Sequence, residues 1–375
     1  MTVEIAPPLK TYTVKGNPFT LDKVDLPEAH IVNGRGFPVA YEVNTHSEKF
    51  DKSKVEELLL NFSQDGTFTK LIEDHGAVVL RDTIENSDES KSAEIAEIIR
   101  LVEENRGLEV FQQNGTRVVR NKKGYNLFSA NEYAPPEATL LQHNEYSRFK
   151  KWPATIDFSI AEYTATGGET TLVHGGELYQ RVAKELPHFL EKITEVGLKF
   201  NEEVWTKEPV EKTDIVWDHE VTFGREIKPG DDLATKKKKA EQIAKQFISD
   251  DFRWDENDNL VVTSTTKPVK SFKGEPLLFS SIPAYVDIYQ NSESPKIRYG
   301  NGDLFPKEEL NTFKDISIDL EYKHNWKSGD IVFVHNIQVS HGKLPFKDGK
   351  RKILVGMWDE KVPSNSILEF KDLKI

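Results

Sequence analysis

The chain of 375 residues contains no cysteine and only two methionines. The first absence excludes disulfides, thiolate metal sites and thiol nucleophiles together. It leaves the compartment open, because a chain without thiols tolerates any redox poise, and cytoplasm is the default expectation. No uninterrupted apolar run approaches the roughly 20 residues that cross a bilayer. The opening Met1-Thr2-Val3-Glu4-Ile5-Ala6-Pro7-Pro8 lacks both the basic and the apolar regions of a secretory signal. A basic excess is missing too. Lys and Arg number 50 against 62 Asp and Glu, and the formal net charge of -12 argues against wrapping a nucleic-acid backbone. The clearest basic run, residues 236–239, leads into Ala240-Glu241-Gln242-Ile243 and reads as the solvated face of an exposed helix. The expected partner is a small-molecule substrate, with no nucleic acid and no membrane; the oligomeric state is not legible.

Aromatic residues are plentiful: 21 Phe, 11 Tyr and 6 Trp predict a large globular core. Residues 1–45, punctuated by Pro and Gly, read as an extended arm. Val55, Leu58, Leu59 and Phe62 recur at helical spacing, as do Ile95, Ile98, Ile99 and Val102. Between these two helices, Gly76-Ala77-Val78-Val79-Leu80-Arg81 reads as a turn and a short buried strand. From residue 116 onward, strand-like stretches at 116–120, 139–143, 155–163 and 170–173 alternate with turns. Residues 177–195 read as helix in two pieces divided near Pro187. A charged segment over 200–275, with a helix around 235–247, precedes further strands at 277–279, 330–334 and 353–358. There is no internal repeat, no βαβ rhythm and no phosphate-cradling glycine loop. The expected fold is mainly β with flanking helices (α+β), one domain over residues 1–375 with residues 200–275 as a helical insertion. The helices of residues 50–105 and 177–195 are expected to buttress one sheet.

Without cysteine, a metal site must be built from His and carboxylates. In Leu141-Gln142-His143-Asn144-Glu145 a strand would turn His143 and Glu145 to the same face. Alone, such a pair also fits an exposed His beside a solvated Glu. Farther on, Lys327 to Gly342 reads as a turn, a buried strand and a histidine, His341, at its far end. Two His and one carboxylate make the facial triad that suits non-haem Fe(II), with three positions left open. Two of these suit a chelating 2-oxo acid and one suits O₂. After a turn, Arg351-Lys352-Ile353-Leu354-Val355 reads as a strand returning beside the one that ends at His341. A guanidinium there could clamp the distal carboxylate of a dicarboxylic co-substrate. Lys352 points to the opposite face. A solvated pair of cations is the plainer alternative.

His143-x-Glu145, Gly167-Gly168-Glu169-Thr170, His341-Gly342-Lys343-x-Pro345-Phe346 and Arg351-Lys352 resemble, in order and approximate spacing, the taurine dioxygenase-like (TauD/TfdA) superfamily of Fe(II)/2-oxoglutarate oxygenases. Glu in place of Asp in the first pair is similar to its clavaminate synthase-like branch. The resemblance runs from about Phe37 to Trp358, with fainter echoes at Trp205 and over residues 251–254 and 277–281. It implies a double-stranded β-helix (jelly roll), with residues 200–275 near the active-site mouth. It implies His143, Glu145 and His341 as ligands of Fe(2+), Thr170 and Arg351 as 2-oxoglutarate-binding residues, and O₂ as the second co-substrate. The reaction it implies is oxidation, by default hydroxylation, of a small polar metabolite or amino-acid-like substrate, giving succinate and CO₂. Asn131, Tyr133 and Arg148 are candidates for the substrate pocket, and Trp358 for the core. Three positions depart from the family pattern: Lys343 stands for Arg, His335 for Asp, and Phe279-Ser280-Ser281 for an aromatic-Asn pair, which puts an inherited substrate preference in doubt. The alternatives are a metal-binding jelly-roll protein and a cupin-type metalloenzyme that uses no 2-oxoglutarate. A histone or nucleic-acid demethylase is a further alternative, and the net charge sits poorly with its nucleic-acid form.

Overall fold

The computed structural model describes residues 9–117, 119–130, 135–211, 215–291, 295–361 and 367–369. Strong β formers crowd the runs Thr155–Tyr163, Ile331–His335 and Arg351–Glu360, and these form the centre of a ten-stranded major sheet. From one edge its order is Thr11–Thr13, Thr20–Val24, Val39–Asn44, Ala77–Arg81, Ile331–His335, Thr155–Tyr163, Arg351–Glu360, Leu127–Ser129 and Lys122–Gly124. Leu108–Val110 pairs with the far end of Arg351–Glu360. Residues 11–44, expected as an arm, thus supply three strands of this sheet. The pairing is antiparallel except between Val39–Asn44 and Ala77–Arg81. A minor sheet runs Leu140–His143, Val339–Lys343, Thr170–His174 and Tyr322–His324.

Two connections pass from one sheet to the other. Thr155–Tyr163 lies in the major sheet and Thr170–His174 in the minor; Ile331–His335 and Val339–Lys343 repeat the step. This is the double-stranded β-helix. Period-2 alternation decides what fills it: Ile156, Phe158, Ile160, Val332, Val334, Ile353, Val355 and Met357 meet Leu172, Val339 and Tyr322 between the sheets.

The helices divide between the two outer faces, which corrects the expectation that they buttress one sheet. Lys52–Gln64 starts at Asp51, whose carboxylate accepts the Ser53 N–H at 2.9 Å, and buries Val55, Leu58, Leu59 and Phe62. With Thr67–His75 and Ser92–Asn105 it covers the major sheet, where Trp358 is core. Gly175–Glu185 and Pro187–Val196, the second opening on its proline, pack instead with Ile282–Asn291 and Lys307–Asp319 over the minor sheet. The physical reason is chain direction: Gly175 follows directly on a minor-sheet strand, so its helix turns back onto that sheet. Trp205, Trp217, Phe223, Ile243, Leu260 and Val262 gather a further core within residues 200–275. Among the described residues no helix is long and apolar enough to cross a membrane.

A buried polar cluster joins the major-sheet strand end at Arg81 to the minor-sheet residue His324. Arg81 donates from Nε and Nη2 to the two carboxylate oxygens of Asp330 at 3.0 and 3.1 Å, and His324 Nε2 meets Asp330 Oδ2 at 3.0 Å. Trp326 lies edge-on to His324, and its indole N–H reaches up to Thr170 Oγ1 at 3.2 Å.

Candidate metal centre and co-substrate pocket

The antiparallel register of Leu140–His143 on Val339–Lys343 makes His143 and His341 direct cross-strand partners. One face of the minor sheet therefore carries both imidazoles, with ring centroids 4.2 Å apart. The ladder shifts register between Leu140 and His143, and the strand ends at His143. Glu145 consequently lies beyond the strand, in the following turn. The same-face argument of a continuous strand does not apply to it. Its carboxylate nonetheless turns back: Oε2 is 3.8 Å from His143 Nε2 and 3.6 Å from His341 Nε2.

All three donor atoms lie within 4.8 Å of one another. The separations are too long for hydrogen bonds between them. His143 Nδ1 sits 3.0 Å from the Leu141 carbonyl, which can only accept, so Nδ1 carries a proton there and Nε2 is the atom turned toward Glu145. Burial, then the neighbouring His143 and Arg120, hold the His341 pKa well below the ordinary histidine value, so this imidazole is neutral at physiological pH. The His341 Nδ1 finds no hydrogen-bond partner among the described residues. Two imidazoles and a carboxylate converging on one point are a donor set that fits a divalent cation of the Fe(II) type. Arg120 contributes from the other side, with Nη2 3.8 Å from Glu145 Oε1. It lies in a loop, whereas residues 116–120 were expected as strand.

Arg351 arrives from the opposite wall. Its strand was expected beside the one that ends at His341. It lies instead in the major sheet, between Thr155–Tyr163 and Leu127–Ser129, while His341 belongs to the minor sheet. The expectation failed because residues 330–341 are two strands with a corner at Asn336, not one, and the corner changes sheets. The guanidinium crosses the gap: Nε donates to the Gly168 carbonyl at 2.5 Å and Nη2 to Thr170 Oγ1 at 3.4 Å. No carboxylate among the described residues pairs with it, and burial draws its pKa down to about 10, still protonated at neutral pH. Gly168 is required by this approach. At φ +84 a Cβ would stand 2.6 Å from Arg351 Cδ and 2.9 Å from Nε. Lys352 points outward to Glu89.

These groups line one cavity of about 500 Å³, with His143, Glu145, His341, Thr170 and Arg351 on its wall and Phe158, Phe346, Ile353 and Val355 supplying apolar surface. Arg148 also lines it, but its guanidinium is held by Glu203 at 2.5 Å and stacks over Phe149. Lys343 donates to the Pro135 carbonyl at 2.9 Å beside the same cavity. Asn131 and Tyr133 lie outside the described residues. A larger depression of about 970 Å³, lined by Trp152, Lys270 and His335 among others, holds no comparable donor set among the described residues. Sequence reasoning missed Arg120, Trp326 and Asn336. Only Asn336 left a signal, a polar break with His335 and Gln338 between the apolar run 331–334 and Val339.

Comparison with known proteins follows the same lines. A model of the taurine catabolism dioxygenase TauD, TfdA family matches residues 42–358. A clavaminate synthase-like protein of Arabidopsis thaliana is 23% identical over 293 residues, 76% of this chain and 82% of the plant protein. The dapdiamide synthesis protein DdaC of Enterobacter agglomerans is 35% identical over 66 residues, 18% of this chain and 20% of its own. Among solved structures, PvcB of Pseudomonas aeruginosa aligns over 92% of this chain and 93% of its own at 13% identity, with a TM-score of 0.46. The chain belongs to the taurine catabolism dioxygenase TauD, TfdA family and is an oxidoreductase of that iron(II)- and 2-oxoglutarate-dependent class.

Proposed function

We propose that this dioxygenase hydroxylates a small polar or amino-acid-like substrate, with His143, Glu145 and His341 holding iron(II) and with Arg351 and Thr170 holding the distal carboxylate of 2-oxoglutarate. The observation that carries the reading is a buried guanidinium without a carboxylate partner among the described residues, facing the same cavity as three convergent metal donors. A buried charge of this kind is costly unless a counter-ion reaches it, and a dicarboxylic co-substrate brings one. Iron with its 2-oxo acid supplies the oxidising chemistry, one oxygen atom of O₂ entering the substrate and the other appearing in succinate as CO₂ leaves.

The protein's own part is orientation and exclusion. Trp326 donates to Thr170 Oγ1 from below and Arg351 from the side, so both hydroxyl lone pairs are engaged. The hydroxyl hydrogen is then left to donate into the cavity, toward a carboxylate. Phe158 packs against His341 at 4.8 Å between centroids and keeps water from that flank. We read the chain as one oxygenase domain with residues 200–275 as an insertion at the mouth, a reading supported by the Arg148–Glu203 pair. Arg148, Asn131 and Tyr133 remain the substrate-facing candidates. The test is a screen of amino acids and small polar acids for substrate-dependent conversion of 2-oxoglutarate to succinate. Conversion that is stimulated by one substrate class and lost in His341→Ala is expected. Iron-replete protein that binds no 2-oxoglutarate contradicts the reading.

A further inference from the structure

The ladder that brings His143 to His341 ends at His143, yet both main-chain groups of Glu145 are bonded. The Glu145 N–H donates to Asn336 Oδ1 at 2.9 Å, and the Glu145 carbonyl accepts from Asn336 Nδ2 at 3.0 Å. In an antiparallel ladder a facing residue exchanges this same pair of bonds. One side-chain amide has taken the place of a strand.

The amide has nothing left to give. Its second Nδ2 hydrogen goes to the Pro153 carbonyl at 3.0 Å. The main chain of Asn336 is equally committed: its N–H reaches the Ala154 carbonyl at 3.0 Å and its carbonyl accepts from Asn144 Nδ2 at 2.7 Å. Asn144, between the two ligand residues, is fixed in turn by the Ser280 N–H on its Oδ1 at 2.9 Å and by its own N–H on the Ser280 carbonyl at 3.1 Å. Asn336 is fully buried and stands at the corner between Ile331–His335 and Val339–Lys343, five residues before His341.

We infer that Asn336 is a positioning residue of the metal centre, whose side-chain amide sets the main chain of Glu145 and thereby holds the carboxylate against the His143–His341 pair. The inference rests on the reading of these three residues as the metal ligands. Asn336 touches no reacting atom; it acts through Glu145. Because it also lies on the link that delivers His341, the carboxylate and the second histidine are referred to one corner. An aspartate there keeps the acceptor for the Glu145 N–H but sets an oxygen against the Glu145 and Pro153 carbonyls. A serine is too short to hold both ends of the Glu145 peptide frame.

The test uses the full chain, anaerobic and without 2-oxoglutarate, and Co(II) as the probe, reading its dissociation constant and visible d–d bands. Asn336→Ser and Asn336→Asp are compared with wild type, His143→Ala, Glu145→Ala and Ile193→Ala. Ile193 is fully buried in the helical cluster over the outer face of the minor sheet, so its variant controls for general destabilisation. Folded Asn336 variants are expected to bind Co(II) about 10–100-fold more weakly, the range typical of groups that orient a ligand. Their d–d bands should move toward those of Glu145→Ala, while Ile193→Ala keeps the wild-type spectrum. Co(II) affinity within twofold of wild type and unchanged bands in a folded Asn336→Ser protein overturn the inference. So does an equal loss in Ile193→Ala, or failure of both Asn336 variants to fold, since either makes Asn336 a structural residue only. If wild type binds Co(II) no better than His143→Ala, the ligand reading itself falls; normal wild-type binding with a normal Asn336→Ser protein removes the clamp alone.

Discussion

Replacing Gly168 by alanine is expected to weaken 2-oxoglutarate binding about as severely as truncating Arg351, although Gly168 offers no side chain to the pocket. The new methyl would stand 2.6 Å from Arg351 Cδ, 2.8 Å from Phe346 Cβ and 2.9 Å from Arg351 Nε, all inside van der Waals contact. Phe346 and the Arg351 stem are packed together, so the guanidinium must move as a unit and surrender its bond to the Gly168 carbonyl. A charge-assisted hydrogen bond from that guanidinium contributes about 1.5–3 kcal/mol, which corresponds to roughly 10–150-fold in affinity at 1.4 kcal/mol per decade. The backbone adds a separate cost, since φ +84 suits glycine and an alanine there loses about 1–3 kcal/mol of stability. Calorimetric titration of the anaerobic Mn(II)-loaded protein with 2-oxoglutarate measures the first quantity, and thermal unfolding the second. Metal affinity should be unchanged, because the three candidate metal donors lie on the opposite wall of the cavity. A folded Gly168→Ala protein that binds 2-oxoglutarate within twofold of wild type refutes the reasoning. So does a parallel fall in Mn(II) affinity.

Trp326→Phe removes the indole hydrogen bond to Thr170 Oγ1; 2-oxoglutarate affinity should fall by roughly two- to tenfold, matching about 0.5–1.5 kcal/mol for one neutral bond, and an unchanged titration would contradict that role. Arg81→Met leaves the Asp330 carboxylate buried beside a neutral His324, and urea unfolding should register a loss of about 3–5 kcal/mol; a loss under ~1 kcal/mol means the pair does not anchor the two sheets there. His335 is buried and its pKa pulled down to about 3, chiefly by desolvation, against ~6.5 when unfolded. Only the unfolded chain takes up this proton as pH falls below ~6.5, so its contribution to stability is full above that pH and is lost progressively toward pH 3. The decrement is about 1–2 kcal/mol between pH 6.5 and 5, and His335→Gln should flatten the pH dependence of stability in urea unfolding by that amount. Identical slopes for the two proteins would exclude His335 as the cause.

Most of the framework was legible because its signals are local. The run at Thr155–Tyr163 and the helix division at Pro187 follow from side-chain pattern and proline geometry alone. His143, Glu145 and His341 were legible as residue types at a spacing, and they do converge. The geometry that unites them was not. A same-face strand argument placed Glu145 beside His143, whereas the strand ends one residue after Gln142 and a distant amide sets the carboxylate. Likewise, Arg351 was placed beside His341 because Ile331 to His341 reads as one apolar run. The change of sheet turns on the hydrogen bonds of Asn336, which link residues 183 and 191 positions apart and leave no periodic trace. Long-range polar contacts of this kind, and the glycine that lets Arg351 through, become visible only once the chain is folded.

In the proposed site one cavity holds iron through His143, Glu145 and His341 and 2-oxoglutarate through Arg351. An anaerobic titration of metal-free protein with Fe(II) and then 2-oxoglutarate, read as a visible metal-to-ligand charge-transfer band, tests it most directly. A saturable band is expected in wild type, absent in His143→Ala and present only at much higher 2-oxoglutarate concentration in Arg351→Ala. Stoichiometric iron binding with no band at any 2-oxoglutarate concentration would contradict it.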